Sequence, residues 1–317
     1  MGAFVSSLAF PVPRCSEELI QTLRARPDFV QLVTAEGDKI AAIHIKRNAG
    51  RTILYSHGNA EDLILSVQYL DIMATICGAD VLAYDYHGYS ASEGTPSEAG
   101  CYACVEAAYQ WLLANGVEPQ NIVAFGRSLG SGPTVDLVSR HLAISGMVLQ
   151  SPLESGGRAA LGCCCFGRLA SSALYDLDIF RNYEKIGEIA CPVLIIHGRA
   201  DKVVPFHNGE ALFAACQNAV EPVWINRAGH NDLPIDVCLR RVRLFMDGID
   251  KVASSYATAA MALQGPPRAL HVAPPVVYVS VGHAGQVAAM YPRHQSLYHG
   301  LQPAVPVAGQ RFSVRSS

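Results

Sequence analysis

Three residues far apart in the chain carry side chains able to act together as nucleophile, base and acid: Ser128, His230 and Asp201. Ser128 stands in Gly126-Arg127-Ser128-Leu129-Gly130, directly after the apolar run NIVAF. A serine on a sharp strand-to-helix turn presents its hydroxyl outward. The residues two positions before and after it then lie against neighbouring backbone and must be glycine. Serine is a weak nucleophile until a base takes its proton, and His230, in INRAGHND, is the candidate base. A carboxylate beyond the imidazole fixes its tautomer and stabilises the imidazolium; Asp201, in IIHGRAD, is the candidate. A tetrahedral oxyanion also needs backbone N–H donors. Leu129, next after the serine, supplies one, and the segment His57-Gly58-Asn59-Ala60 supplies the other, with the Asn59 amide favoured. Asp176 and Asp178 remain alternatives for the acid. Asp232 is too close to His230 in the chain to orient it comfortably, and Ser90, in GYSAS, lacks the second glycine.

The elements that must hold these groups follow from the hydrophobic pattern. DFVQLVT and KIAAIHI, joined by AEGD, read as a hairpin. Short apolar runs then recur at 52–56, 80–84, 121–125, 146–150, 192–196 and 222–225. Segments of helical period lie between most of them, including 61–76, 98–115, 132–140 and 234–251. Apolar strands alternating with helices predict an α/β fold: a mostly parallel central sheet covered on both faces, with the hairpin adding antiparallel strands at one edge. Sites in such sheets lie at the carboxyl ends of strands. Ser128 follows one strand directly, and Asp201 and His230 each lie five residues past theirs. The chain order Ser, Asp, His is that of the α/β-hydrolase arrangement, which makes this an α/β-hydrolase fold by expectation. The catalytic domain is placed at 28–251. Residues 1–27 form a leader and 252–317 a tail without sustained period, with four Arg and no acidic residue, expected to be mostly disordered.

Composition bounds the partners. Half of the 317 residues are apolar and 16% charged, which suits a large core, and a formal charge of −3 gives no footprint for nucleic acid. No uncharged apolar run reaches the length of a membrane span. The ten cysteines are scattered, the pattern of reduced thiols in a cytosolic protein. Cys101 and Cys104 have metal-like spacing but fall in a helical segment without a second pair, so they read as packing residues and no metal is expected. Cys163, Cys164 and Cys165 sit in an apolar segment between the sixth and seventh strands. That segment is too short for more than a small cap. Met1-Gly2-Ala3-Phe4-Val5-Ser6 fits the N-myristoylation pattern, which makes Gly2 a candidate lipidation position, with Cys15 as a nearby second one.

The blocks YSHGNAEDL, YDYHGYSASEGTPSE, FGRSLGSGPTVDLVSR, LQSPLESGGR, CPVLIIHGRADKVVPF and AVEPVWINRAGHND together resemble the α/β-hydrolase domain-containing 17 family of protein depalmitoylases. The resemblance covers roughly residues 28–250. It implies that Ser128, Asp201 and His230 are nucleophile, acid and base, and that Asp85 and Tyr86 are structural parts of the loop after the fourth strand. It further implies hydrolysis of thioester-linked acyl chains from S-acylated proteins at the cytoplasmic face of a membrane, without a cofactor. The family's N-terminal cysteine cluster is missing here. A lipid or small-molecule carboxylesterase is the alternative, and a non-catalytic binding protein on the same fold a further one.

Overall fold

The computed structural model describes residues 10–160 and 178–264. Eight strands form one sheet: β1 (Phe29–Val33), β2 (Lys39–Ile45), β3 (Thr52–Ser56), β4 (Asp80–Tyr84), β5 (Ile122–Arg127), β6 (Gly146–Gln150), β7 (Val193–Gly198) and β8 (Val223–Ile225). Their order is β1-β2-β4-β3-β5-β6-β7-β8. β1 and β2 pair antiparallel, as do β2 and β4, and all remaining pairs are parallel. The hairpin therefore occupies one edge, as its sequence requires. Leu54 at the centre of β3 stands beside Leu82 on β4 and Ala124 on β5.

Both faces of the sheet are covered. Leu82 and Tyr84 point into a cluster with Cys101, Cys104, Val105 and Ala108 of helix α3 (Glu98–Ala114) and Val135 and Val138 of α4 (Ser131–Arg140). Val81 and Ala83 point the other way, toward Leu70 and Met73 of α2 (Leu63–Cys77) and Leu239 and Val242 of α8 (Ile235–Gln264). Two buried faces explain why the central strands are continuous apolar runs rather than alternating ones. Cys101 and Cys104 are core residues, and among the described residues no group of His, Cys, Asp and Glu is arranged to hold a metal.

The helices start and stop where local chemistry sets them. Asp62 caps α2 by accepting from Leu65 N at 2.8 Å, and Gly78 closes it at φ +61°. Ser97 caps α3 through Gly100 N at 3.0 Å. The described residues also hold two short helices, α5 (Gly156–Ala160) and α6 (Asn182–Lys185), and then α7 (His207–Ala215).

Two boundaries differ from the sequence reading. Within the expected leader, Ser16 caps a helix, α1 (Glu17–Arg24), whose Leu23 is buried, and Phe10 is buried edge-on to Phe180. Beyond residue 251 the last helix continues to Gln264. The Ala-rich stretch 253–262 has no apolar period, but alanine's helix propensity sustains the backbone without one. Among the described residues no helix is long and apolar enough to cross a membrane. Gly2, Cys163–Cys165, Asp176 and residues 265–317 lie outside the described residues.

Candidate active site

Ser128 joins β5 to the start of α4 with φ +52°, a left-handed conformation that a serine adopts only where its surroundings enforce it. The flanking glycines make the enforcement possible. A Cβ on Gly126 would stand 2.6 Å from the Gly130 carbonyl oxygen and 2.7 Å from Thr134 Oγ1. One on Gly130 would stand 2.7 Å from the His57 carbonyl oxygen and closer still to that of Ser56. The elbow is thus packed backbone-on-backbone against the loop after β3, and Ser131 Oγ donates to Ser128 O at 2.7 Å to hold the turn.

The loops after β7 and β8 bring the other two groups to the serine. His230 Nε2 lies 3.0 Å from Ser128 Oγ, and His230 Nδ1 lies 2.7 Å from Asp201 Oδ2. The other carboxylate oxygen, Asp201 Oδ1, accepts from Val203 N and Val204 N, both at 2.9 Å. Burial alone would raise the Asp201 carboxyl, but hydrogen bonds from His197 and His230 and the charge of His230 hold it well below the usual carboxylate range. A carboxylate, an imidazole and a hydroxyl in this chain of contacts are arranged so that the imidazole can take the hydroxyl proton, the chemistry that nucleophilic attack on an acyl carbon needs.

The loop carrying Asn59 is held from several sides. Tyr86 Oη donates to His57 O at 2.7 Å and Tyr89 Oη to Asn59 Oδ1 at 3.1 Å. Glu61 accepts from Gly58 N at 3.0 Å and pairs with Arg127, whose Nη2 donates to Asn231 Oδ1 at 2.8 Å. Arg127 therefore ties the elbow to the loop after β3 and to the loop of His230. Burial pushes the His57 imidazole down to about 4, and burial raises the neighbouring Asp85 carboxyl to about 8. Asp85 accepts from Leu63 N at 2.9 Å and from Ser90 Oγ, so Ser90 serves the loop rather than a substrate.

The remaining candidates are placed elsewhere. Asp178 accepts from Gly157 N at 2.7 Å and so caps α5. Asp232 accepts from Gly229 N and shapes the turn before His230. Cys15 Sγ donates to Asp62 Oδ2 at 2.9 Å; burial, with that bond and the Asp62 charge, pushes its thiol up to about 12. His197 and the Arg127–Glu61–Asn231 linkage were missed by reading the chain. His197 carries one local signal, its place four residues before Asp201, while the linkage joins residues far apart and carries none. A cavity of about 210 Å³ opens beside His230, lined by Tyr55, Leu65, Arg127, Gln150 and Leu233. Three larger cavities, of about 850, 780 and 500 Å³, do not touch Ser128, Asp201 or His230.

Comparison with known proteins gives a consistent relationship. No protein-family model matches the chain. It is 41% identical over 206 residues to alpha/beta hydrolase domain-containing protein 17B of Homo sapiens, covering 64% of this chain and 68% of that protein. It is 38% identical over 205 residues to protein 17C of Mus musculus, covering 64% of this chain and 62% of that one. Among solved structures it is similar to an esterase from Pyrococcus furiosus (TM-score 0.58, 18% identity, 75% of this chain and 96% of that one). An esterase from Rhodococcus is also similar (TM-score 0.55, 19% identity, 70% and 99%). At these identities the solved structures establish the α/β-hydrolase fold.

Proposed function

This chain belongs to the alpha/beta hydrolase domain-containing protein 17 family, and from that premise we propose that it is a serine hydrolase releasing fatty acyl chains from S-acylated proteins. The observation that carries the reading is the hydrogen-bonded chain Ser128–His230–Asp201 built on a left-handed serine. Ser128 Oγ gives its proton to His230 Nε2 and attacks the thioester carbonyl carbon. The carbonyl oxygen becomes an oxyanion that accepts hydrogen bonds from the backbone N–H groups of Leu129 and Asn59. The C–S bond then breaks, the departing sulfur takes the proton from His230, and an acyl-serine remains. Water, deprotonated by His230, attacks that ester; the C–Oγ bond breaks, the proton returns to Ser128, and the free fatty acid leaves. Asp201 keeps the imidazole oriented through both half-reactions and stays ionised.

The thioester reading is supported by the family relationship, together with a site that is open enough for an acyl group borne on a macromolecule: Leu65 and Ile235, which line the cavity beside His230, are exposed. We place the protein at the cytoplasmic face of a membrane, reached through a lipid on Gly2. Cys15, whose thiol is bound to Asp62, is the poorer acceptor of a second chain. The experiment is hydrolysis of one peptide carrying the same long acyl group on sulfur or on oxygen. A kcat/KM at least tenfold higher for the S-acyl peptide supports the reading. Preference for the O-acyl peptide makes the protein a carboxylesterase instead.

A further inference from the structure

His197 is next to last in β7, four residues before Asp201, and its side chain is wholly buried. Its Nε2 lies 3.0 Å from Val204 O and 3.3 Å from Asp201 Oδ2. Both neighbours are acceptors, so the ring proton sits on Nε2. The other nitrogen, Nδ1, is buried without a hydrogen-bond partner and faces Gly209, where a Cβ would collide with it. Phe206 packs edge-on against the ring at 5.7 Å. A buried nitrogen left unpaired is costly, and an apolar side chain would fill the same space without that cost. What an apolar side chain cannot do is donate from the position of Nε2.

We propose that His197 is a positioning residue for the active site, sharing its Nε2 proton between Val204 O and the Asp201 oxygen that His230 contacts, and so fixing that carboxylate's orientation and tempering its pull on the His230 proton. The proposal rests on the triad reading above. With Val203 N and Val204 N on Oδ1, His230 Nδ1 on Oδ2 and His197 Nε2 at 3.3 Å from that same oxygen, its proton shared with Val204 O, one orientation of Asp201 meets all of these contacts. The charged groups of the neighbouring segments are placed differently: Arg199 lies over the Phe206 ring at 4.8 Å, Asp232 is on Gly229 N, and Lys202 and Glu210 are exposed. Relieved of the His197 donor, the Asp201 carboxylate would attract the imidazole proton more strongly. The acid limb of the kcat/KM profile, which reports the Asp201–His230 pair as a unit, would then move to higher pH.

The test compares His197→Gln, His197→Asn and His197→Leu in the full chain, with folding checked by urea unfolding. Glutamine carries its amide donor near the position of Nε2, whereas asparagine carries it near Nδ1, away from Asp201. Asparagine and leucine should lower kcat/KM by about tenfold or more through kcat, with KM unchanged, and raise the acid limb by about half a pH unit or more. Glutamine should recover most of that loss. A readout independent of turnover is the low-field proton NMR resonance of the His230–Asp201 hydrogen bond in a Ser128→Ala background, which should shift in the Asn and Leu variants and less in the Gln variant. Glutamine performing no better than asparagine, or a resonance and pH profile unmoved in every folded variant, would overturn the proposal. A wild-type protein with neither that resonance nor a reactive Ser128 would overturn the triad reading itself, and this proposal with it.

Discussion

Gly130→Ala adds a single methyl group at the closest backbone approach in the site. The new Cβ would stand 2.7 Å from the His57 carbonyl oxygen, and nearer still to that of Ser56. An ordinary carbon–oxygen contact is about 3.3 Å, so the deficit is about 0.6 Å at His57 and larger at Ser56, and elbow and loop must part by about 1 Å. Neither partner is a flexible side chain that can swing away: Ser56 ends β3, paired on both sides in the sheet, and His57 O is held by Tyr86. Overpacking of this kind costs about 1–3 kcal/mol in stability. A displacement of about 1 Å between a nucleophile and its oxyanion donors costs about a hundredfold in rate. The assay is the rate of inactivation by a fluorophosphonate, read beside urea unfolding monitored by fluorescence. Gly248→Ala is the control: it lies in α8 with nothing within 4 Å of the added Cβ, and should be stabilising by about 0.5–1 kcal/mol without changing the rate. If Gly130→Ala unfolds at the wild-type urea concentration and reacts at the wild-type rate, the backbone packing of the elbow does not position the serine.

Asp201→Asn should lower turnover of an acyl substrate by about a thousandfold or more, because His230 is left in the wrong tautomer, whereas Asp178→Asn should stay near wild type since an amide oxygen still accepts from Gly157 N. Burial raises the Asp85 carboxyl from 3.8 to about 8, so the folded protein holds that proton where the unfolded chain has lost it. Its contribution to stability is therefore full below the unfolded value and is lost as pH rises through the folded one. Asp85→Asn should remove up to about 1.4 kcal/mol per pH unit of decline between those two values, as measured by urea unfolding at stepped pH. Cys15, with its thiol pushed up to about 12, should react with iodoacetamide at pH 8 at least about a hundredfold more slowly than a free cysteine peptide. Asp62→Asn, which keeps the helix cap, should speed it up, read by site-resolved mass spectrometry.

Much of the fold was legible because its strands are buried on both faces and its segments follow one another in simple alternation. The runs at 39–45, 52–56, 80–84 and 146–150 coincide with β2, β3, β4 and β6, and the glycine–serine turn stands between β5 and α4. Order and spacing past the strands sufficed to gather Ser128, Asp201 and His230. What the chain did not reveal depends on contacts that no local pattern encodes. Helix α1 is short and highly polar, and is fixed largely by its Ser16 cap and by Leu23 on the core, so it read as leader. Helix α7 carries no strong apolar stripe, and only Asn208, Gly209 and Leu212 are buried, so it was not singled out. His197 fell just past the run at 192–196 and was given no role, because whether a histidine at a strand end faces solvent or a carboxylate is decided by the loop that returns over it. Arg127, between the motif's glycine and serine, carries no local signal of its role; its contacts with Glu61 and Asn231 join residues 66 and 104 positions away.

The central claim is that Ser128 is an activated nucleophile, and covalent labelling tests it most directly. Native protein treated with a fluorophosphonate and digested for mass spectrometry should carry one adduct, on Ser128. The adduct should be absent from Ser128→Ala and strongly slowed in His230→Ala, while both variants unfold like wild type. Native protein that remains unlabelled at Ser128, or labelling at another serine that persists in Ser128→Ala, would contradict the account.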